Sequence, residues 1–197
     1  MQNASICFSE YARKIAAVSA KVQPESIDQA KNLLMAAIRS GKSILACGNG
    51  GSAAIINHMA CDMNKGIAAD TALRPRFLSL CGEPSLLTAT ANDYGYDRAF
   101  DLPLSLWMQP GDLLLAVSSS GNSPNILRAL EFTKSIGNRS ILLCGFSGGK
   151  GLALADVPIH VPSDNYGIVE DVHQMLLHAI TQNIRVSEAL PGAELKL

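Results

Sequence analysis

Four residues in two stretches of this chain have the types and spacings that acid–base or metal chemistry needs: His58 with Asp62, and Glu170 with His178. His58 and Asp62 are four positions apart, which on a helix puts them on one face about a turn apart, in reach of a shared proton or a shared cation. Glu170 and His178 stand about 80° apart around a helix and about 12 Å apart along it, so they meet at one site only with Glu170 near the helix start and another group between. A lone histidine on an apolar helix is more often a core residue than a ligand. Two histidines and two carboxylates on helices flanking one sheet make a competent set for Zn²⁺ or a similar divalent cation.

Two loops have the composition of anion cradles. Gly48-Asn49-Gly50-Gly51-Ser52 follows an apolar run, and Ser118-Ser119-Ser120-Gly121-Asn122-Ser123 follows another, with Pro124 placed to open a helix. Glycines let a backbone approach an anion closely, and hydroxyls with helix N–H groups form a neutral cradle for a phosphate monoester. Either loop alone reads equally well as an ordinary helix cap. The first also fits G-x-G-x-x-A, but Asp70, at roughly the ribose-binding distance, precedes the next strand instead of ending it, and no GK[ST] follows. A small phosphorylated ligand is the better reading. Asn92-Asp93-Tyr94-Gly95-Tyr96-Asp97 reads as a polar loop whose Asn92 and Asp93 could hydrogen-bond sugar hydroxyls. Gly145–Lys150 reads as a structural turn.

The elements that position these groups follow from hydrophobic patterning. Residues 4–20 and 26–40 predict two helices, and 167–189 a long one with an apolar stripe from Ile168 to Ile180. Between them lie short, nearly continuous apolar runs at 43–47, 75–80, 112–117, 139–144 and 157–161. Strands buried on both faces look like this, and alternation with helices predicts an α/β fold: a three-layer αβα sandwich around a five-stranded parallel sheet, of flavodoxin-like type. The 197 residues, 48% hydrophobic, fit one domain: N-terminal helices over 1–41, a core over 42–190 and a frayed tail over 191–197.

Sixteen basic against seventeen acidic residues, with no basic run, exclude nucleic acid as a direct partner. No segment reads as a leader or a membrane span. The five cysteines, odd in number and without CxxC spacing, predict reduced, buried thiols in a cytoplasmic protein. Apolar surface on the two N-terminal helices predicts more than one copy in the functional unit.

The blocks GNGGSAA at 48–54 with His58 after it, TATANDYGYDRAF at 88–100, PGD at 110–112, SSSGNSPNILRAL at 118–130 and VH…H at 172–178 resemble the sugar isomerase (SIS) domain family. Among its members they are most similar to the phosphoheptose isomerases, over nearly the whole chain. The resemblance implies substrate contacts from Asn49, Gly50, Gly51 and Ser52, sugar contacts from Asn92 and Asp93, and phosphate contacts from Ser118, Ser119, Ser120 and Ser123. It implies a metal set of His58, Asp62, Glu170 and His178, and a homotetramer with sites at subunit interfaces.

Two positions depart from the family pattern: Asp62 stands where those enzymes have a glutamate, and Glu170 where they have a glutamine. The implied reaction is aldose–ketose isomerisation of a sugar phosphate, sedoheptulose 7-phosphate by resemblance, through a cis-enediol, with Asp62 as base and His178 as acid. Glu170 is the alternative base and a further substrate contact. A second reading of the resemblance is a non-catalytic sugar-phosphate sensor or adaptor protein. Retention of ionisable Asp62 and His178 favours the enzyme.

Overall fold

Alternation of side chains along the strands dictates the layers. In the computed structural model, which describes residues 3–193, the order is α1 (Ala4–Ser19), α2 (Pro24–Arg39), β1 (Ser43–Gly48), α3 (Gly51–Cys61), α4 (Ile67–Asp70), β2 (Arg76–Ser79) and α5 (Pro84–Tyr94). There follow α6 (Asp101–Trp107), β3 (Leu113–Ser118), α7 (Pro124–Ser135), β4 (Arg139–Cys144), α8 (Gly151–Leu154), β5 (Val157–His160) and α9 (Tyr166–Ser187). Ile44 and Ala46 of β1 face one layer with Leu113, Leu115, Ile141 and Leu143, covered by α2, α3 and α9. Leu45 and Cys47 face the other with Leu114, Ala116 and Leu142, covered by α6 and α7. Successive residues point to opposite faces, so a strand apolar throughout needs helices on both sides. The three-layer αβα sandwich is thus the observed fold.

All four strand pairings are parallel and the sheet order is β2-β1-β3-β4-β5. From β1 the chain moves outward to β2, then returns to lay β3 on the other side. This reversal opens a crevice at the carboxyl ends of β1 and β3, where ligands of open α/β sheets bind. Both candidate cradles, 48–52 and 118–123, emerge there.

Several expectations shift. Strand β2 is shorter than the apolar run at 75–80, and its edge is held by Asn64, whose amide donates to the Phe77 carbonyl at 2.8 Å and accepts from its N–H at 2.9 Å. Helix α5 runs on through Asn92 and Asp93 to Tyr94, so these two lie on a last helical turn instead of a loop. Helix α9 ends at Ser187, and Ala189 bridges to Thr71. Of the tail expected after Pro191, residues 194–197 lie outside the described residues.

The cysteines need a correction. All five are free thiols, but Cys7 and Cys61 are exposed and Cys81 is half-buried, because they fall on outward helix positions and in the turn after β2. Burial does push up the thiols of Cys47 and Cys144, the latter to about 12. Among the described residues no helix is long and apolar enough to cross a membrane.

Candidate active site

Helices α3 and α9 run side by side in the same direction, because their ends meet in matching order. At the start, the Glu170 carboxylate packs on Gly51 so closely that a Cβ there would sit 2.3 Å from its Oε2. Seven and eight residues further on, His58 and His178 bring their Nε2 atoms within 2.9 Å. The pair of helices therefore carries two sites, one at each end of a short span.

The first is a cavity of about 120 Å³ lined by Asn49, Ser52, Ser118, Ser119, Ser120, Ser123, Tyr166 and Glu170. The neighbouring helix starts leave it donors. Helix α9 is capped by its own Asn165, whose Oδ1 accepts from the Ile168 N–H at 3.1 Å. Helices α3 and α7 have no side-chain cap, although Ser123 stands at the N-cap of α7. No N-cap side chain serves either start, which suits an anion, although in α7 the Ile126 N–H is already taken by Asn125 Oδ1 at 3.0 Å. The Ser119 hydroxyl is buried without any hydrogen-bond partner, a costly state unless a ligand accepts from it.

The cradle is held from two sides. Asn49 and the buried Asn125 exchange amide hydrogen bonds, and the Tyr96 hydroxyl donates to Asn49 Oδ1 at 2.8 Å. Gly121, at φ +61°, lies so close to the turn at 145–150 that a Cβ on it would meet the Gly148 carbonyl oxygen at 2.0 Å. That turn thus buttresses the serine loop, and the Gly151 N–H donates to the Gly121 carbonyl at 2.9 Å.

At the second site His58, Asp62 and His178 converge. Asp62 Oδ2 is 3.2 Å from His58 Nε2 and 3.3 Å from His178 Nε2. Each imidazole nitrogen carries at most one proton, so no tautomer assignment satisfies all three close approaches. A divalent cation among the three does. Ligands at about 2.0–2.1 Å around tetrahedral zinc stand about 3.4 Å apart, close to the observed triangle. The residues present therefore fit a metal ion. Asp62 also begins a π-helical turn, Asp62–Gly66, that widens the helix just beyond the triangle; such turns recur at functional sites.

The structure thus brings together His58, Asp62 and His178 at one end, and Asn49, Ser52, the four serines of 118–123 and Glu170 at the other. Gly50 and Gly51 form the start of α3. Glu170 does not join the triangle. Asn92 and Asp93 do not line the cavity; they are exposed and bonded to each other at 2.8 Å. Sequence reasoning missed Asn125, Tyr96, Tyr166 and Gln174, whose amide nitrogen lies 3.0 Å from His178 Nε2. A polar residue one turn before a candidate ligand was the available signal for Gln174; Tyr96 lay within the quoted NDYGYD block.

Fold and site together define a class: an αβα protein with a hydroxyl-lined anion cradle at the β1/β3 crevice and a metal-competent triangle one helix span away. The SIS domain pattern matches residues 8–148, and the chain belongs to that family. Within the family its likeness is to the phosphoheptose isomerases. That of Shewanella denitrificans is 39% identical over 169 residues, covering 84% of this chain and 86% of that protein. The structure of the phosphoheptose isomerase from Neisseria gonorrhoeae matches with a TM-score of 0.83 at 32% identity, covering 92% of this chain and 96% of that one. The sugar isomerase domain of an RpiR transcription factor from Sphaerobacter thermophilus shares the fold, with a TM-score of 0.66 at 18% identity.

Proposed function

We propose that this protein interconverts the ketose and aldose forms of a sugar phosphate, with sedoheptulose 7-phosphate as the ketose, through an enediol. The observation that carries the reading is the separation of the two sites. Gly51 at the cradle and His58 at the triangle are seven residues apart, about 10 Å along α3. From phosphorus to C2 a ketoheptose 7-phosphate crosses seven bonds, about 9 Å when each bond of about 1.5 Å advances about 1.3 Å. A ketopentose 5-phosphate, with five such bonds, covers only about 6.5 Å on the same count.

With its phosphate on Ser118, Ser119, Ser120, Ser123 and the starts of α3 and α7, the sugar presents C1 and C2 to the triangle. Asp62 takes a proton from C1 while His178, whose Nε2 faces the triangle, gives the one on its Nδ1 to the C2 oxygen, forming the enediol. Asp62 then returns its proton to C2 and His178 recovers one from the C1 hydroxyl, so atoms and electrons balance without a redox partner. The Asp62 Oδ2 faces both imidazoles, which leaves Oδ1 for this work. A divalent cation, Zn²⁺ by the N/O donor set, held by His58, Asp62 and His178 would polarise the carbonyl and hydroxyl oxygens. Glu170 lines the cradle and receives a sugar hydroxyl there, and the exposed Asn92 and Asp93 would reach the substrate only by closing over it.

We read the functional unit as a homo-oligomer, a tetramer by family resemblance, in the cytoplasm. The imidazoles of His58 and His178 are 51% and 45% exposed, open for a site that must exclude water. Helix α1 has no fully buried residue and leaves Phe8 73% exposed.

The test follows exchange of the C1 proton of sedoheptulose 7-phosphate with deuterated solvent. Exchange and aldose formation by the wild type, lost in Asp62→Asn and retained in part by Glu170→Gln, support the reading. A wild type that neither exchanges nor turns over any ketose phosphate overturns it.

A further inference from the structure

We infer that Gln174, and not Glu170, supplies the donor that completes the site around His178. Residues 170, 174 and 178 stand at i, i+4 and i+8 on one face of α9, so each is a candidate for what lies beside α3. The observed contacts divide them. Glu170 is turned to the cradle, with its carboxylate against Gly51. Gln174 Nε2 stands 3.0 Å from His178 Nε2, the same nitrogen that lies 2.9 Å from His58 Nε2 and 3.3 Å from Asp62 Oδ2. Its other neighbour, the Met59 sulfur at 3.7 Å, is a weak acceptor that holds it loosely.

A primary amide has a donor end and an acceptor end of nearly the same shape, exchanged by rotation about one bond. With the N–H end inward it donates to the lone pair of His178 Nε2. When that lone pair goes to a cation, the donation is lost and the N–H end becomes repulsive. Rotation then presents Oε1, giving two imidazole nitrogens, a carboxylate oxygen and an amide oxygen, a four-donor N/O set of the kind divalent zinc accepts. Gln174 thus holds His178 before the cation arrives and ligates it afterwards. Glu170 stays at the cradle, against Gly51.

This inference rests on the proposed metal site at His58, Asp62 and His178, and the test separates the two. Cobalt(II) is titrated into the full-length protein with a competing chelator, and the visible absorption of the bound ion is recorded. The wild type, Gln174→Ala, Gln174→Glu and Glu170→Gln are compared, with circular dichroism checking that each is folded. Gln174→Ala is expected to weaken binding by about ten- to a hundredfold and to change the spectrum, Gln174→Glu to restore affinity, and Glu170→Gln to match the wild type in both. Wild-type affinity and spectrum in Gln174→Ala overturn the inference, as does a loss confined to Glu170→Gln. A wild type that binds no cobalt overturns the metal site itself and this inference with it.

Discussion

Asn49 and Asn125 exchange two amide hydrogen bonds of 2.9 Å, tying the glycine loop after β1 to the first turn of α7 after β3. The two cradles are therefore one unit. Asn49 Oδ1 also accepts from Tyr96, so most of its hydrogen-bonding capacity serves to hold the site together. Asn125→Ala leaves the Asn49 amide nitrogen without its partner at a site where Asn125 is 2% exposed. The expected cost is about 1–3 kcal/mol of stability, with a raised KM for the sugar phosphate. Urea unfolding and steady-state kinetics check both; an unchanged KM would show that the loops are positioned independently.

Ser119 separates binding from stability. Its buried hydroxyl has no partner, so Ser119→Ala removes an unsatisfied group and should leave the melting temperature unchanged or higher. A hydrogen bond to a charged phosphate is worth about 1.5–3 kcal/mol, so KM should rise about tenfold or more. A melting temperature that falls while KM holds would assign Ser119 to the fold alone.

Two glycines at the cradle respond oppositely to an added methyl. At Gly121 the obstacle is backbone, the Gly148 carbonyl at 2.0 Å, and φ is +61°. Gly121→Ala should cost several kcal/mol and distort the serine loop. At Gly51 the obstacle is the far end of the Glu170 side chain. Gly51→Ala should therefore fold normally, while the displaced carboxylate changes sugar binding. Equal destabilisation of the two variants would mean that Glu170 is held as rigidly as the backbone.

The sheet was legible because β1, β3 and β4 are buried on both faces, which writes a nearly continuous apolar run into the sequence. The serine loop was legible because its composition has little other use at a strand end. What stayed hidden depended on side-chain direction. The approach of His58 to His178 joins residues 120 positions apart, and the Glu170–Gly51 contact is fixed by helix packing that no local pattern encodes. A helical wheel assigns Glu170 and His178 to one side, yet the run of α9 past α3 delivers them to opposite ends of the span. The exposed Cys7 and Cys61 show the same limit: a thiol on a helix is apolar enough to be read as core, and only packing tells which face it takes.

His173 makes acid stability measurable. It is fully buried, neither ring nitrogen has a hydrogen-bond partner, and burial pushes its pKa down to about 4 against a weaker upward pull from the Cys144 backbone. The folded chain therefore holds this imidazole neutral where an unfolded one, with a pKa of about 6.5, takes up a proton. Stability contributed by the neutral form is complete above about pH 6.5, falls as pH drops towards about 4, and levels off below that. The gap is worth up to about 3 kcal/mol. His173→Leu should be at least as stable as the wild type at pH 7.5, because it replaces an unpaired polar group with an apolar one of similar size. It should also lose less stability between pH 7 and pH 5. Urea midpoints for both proteins across that range check the slope: parallel curves would mean that other groups set the acid limit and that His173 keeps its neutral form at no cost.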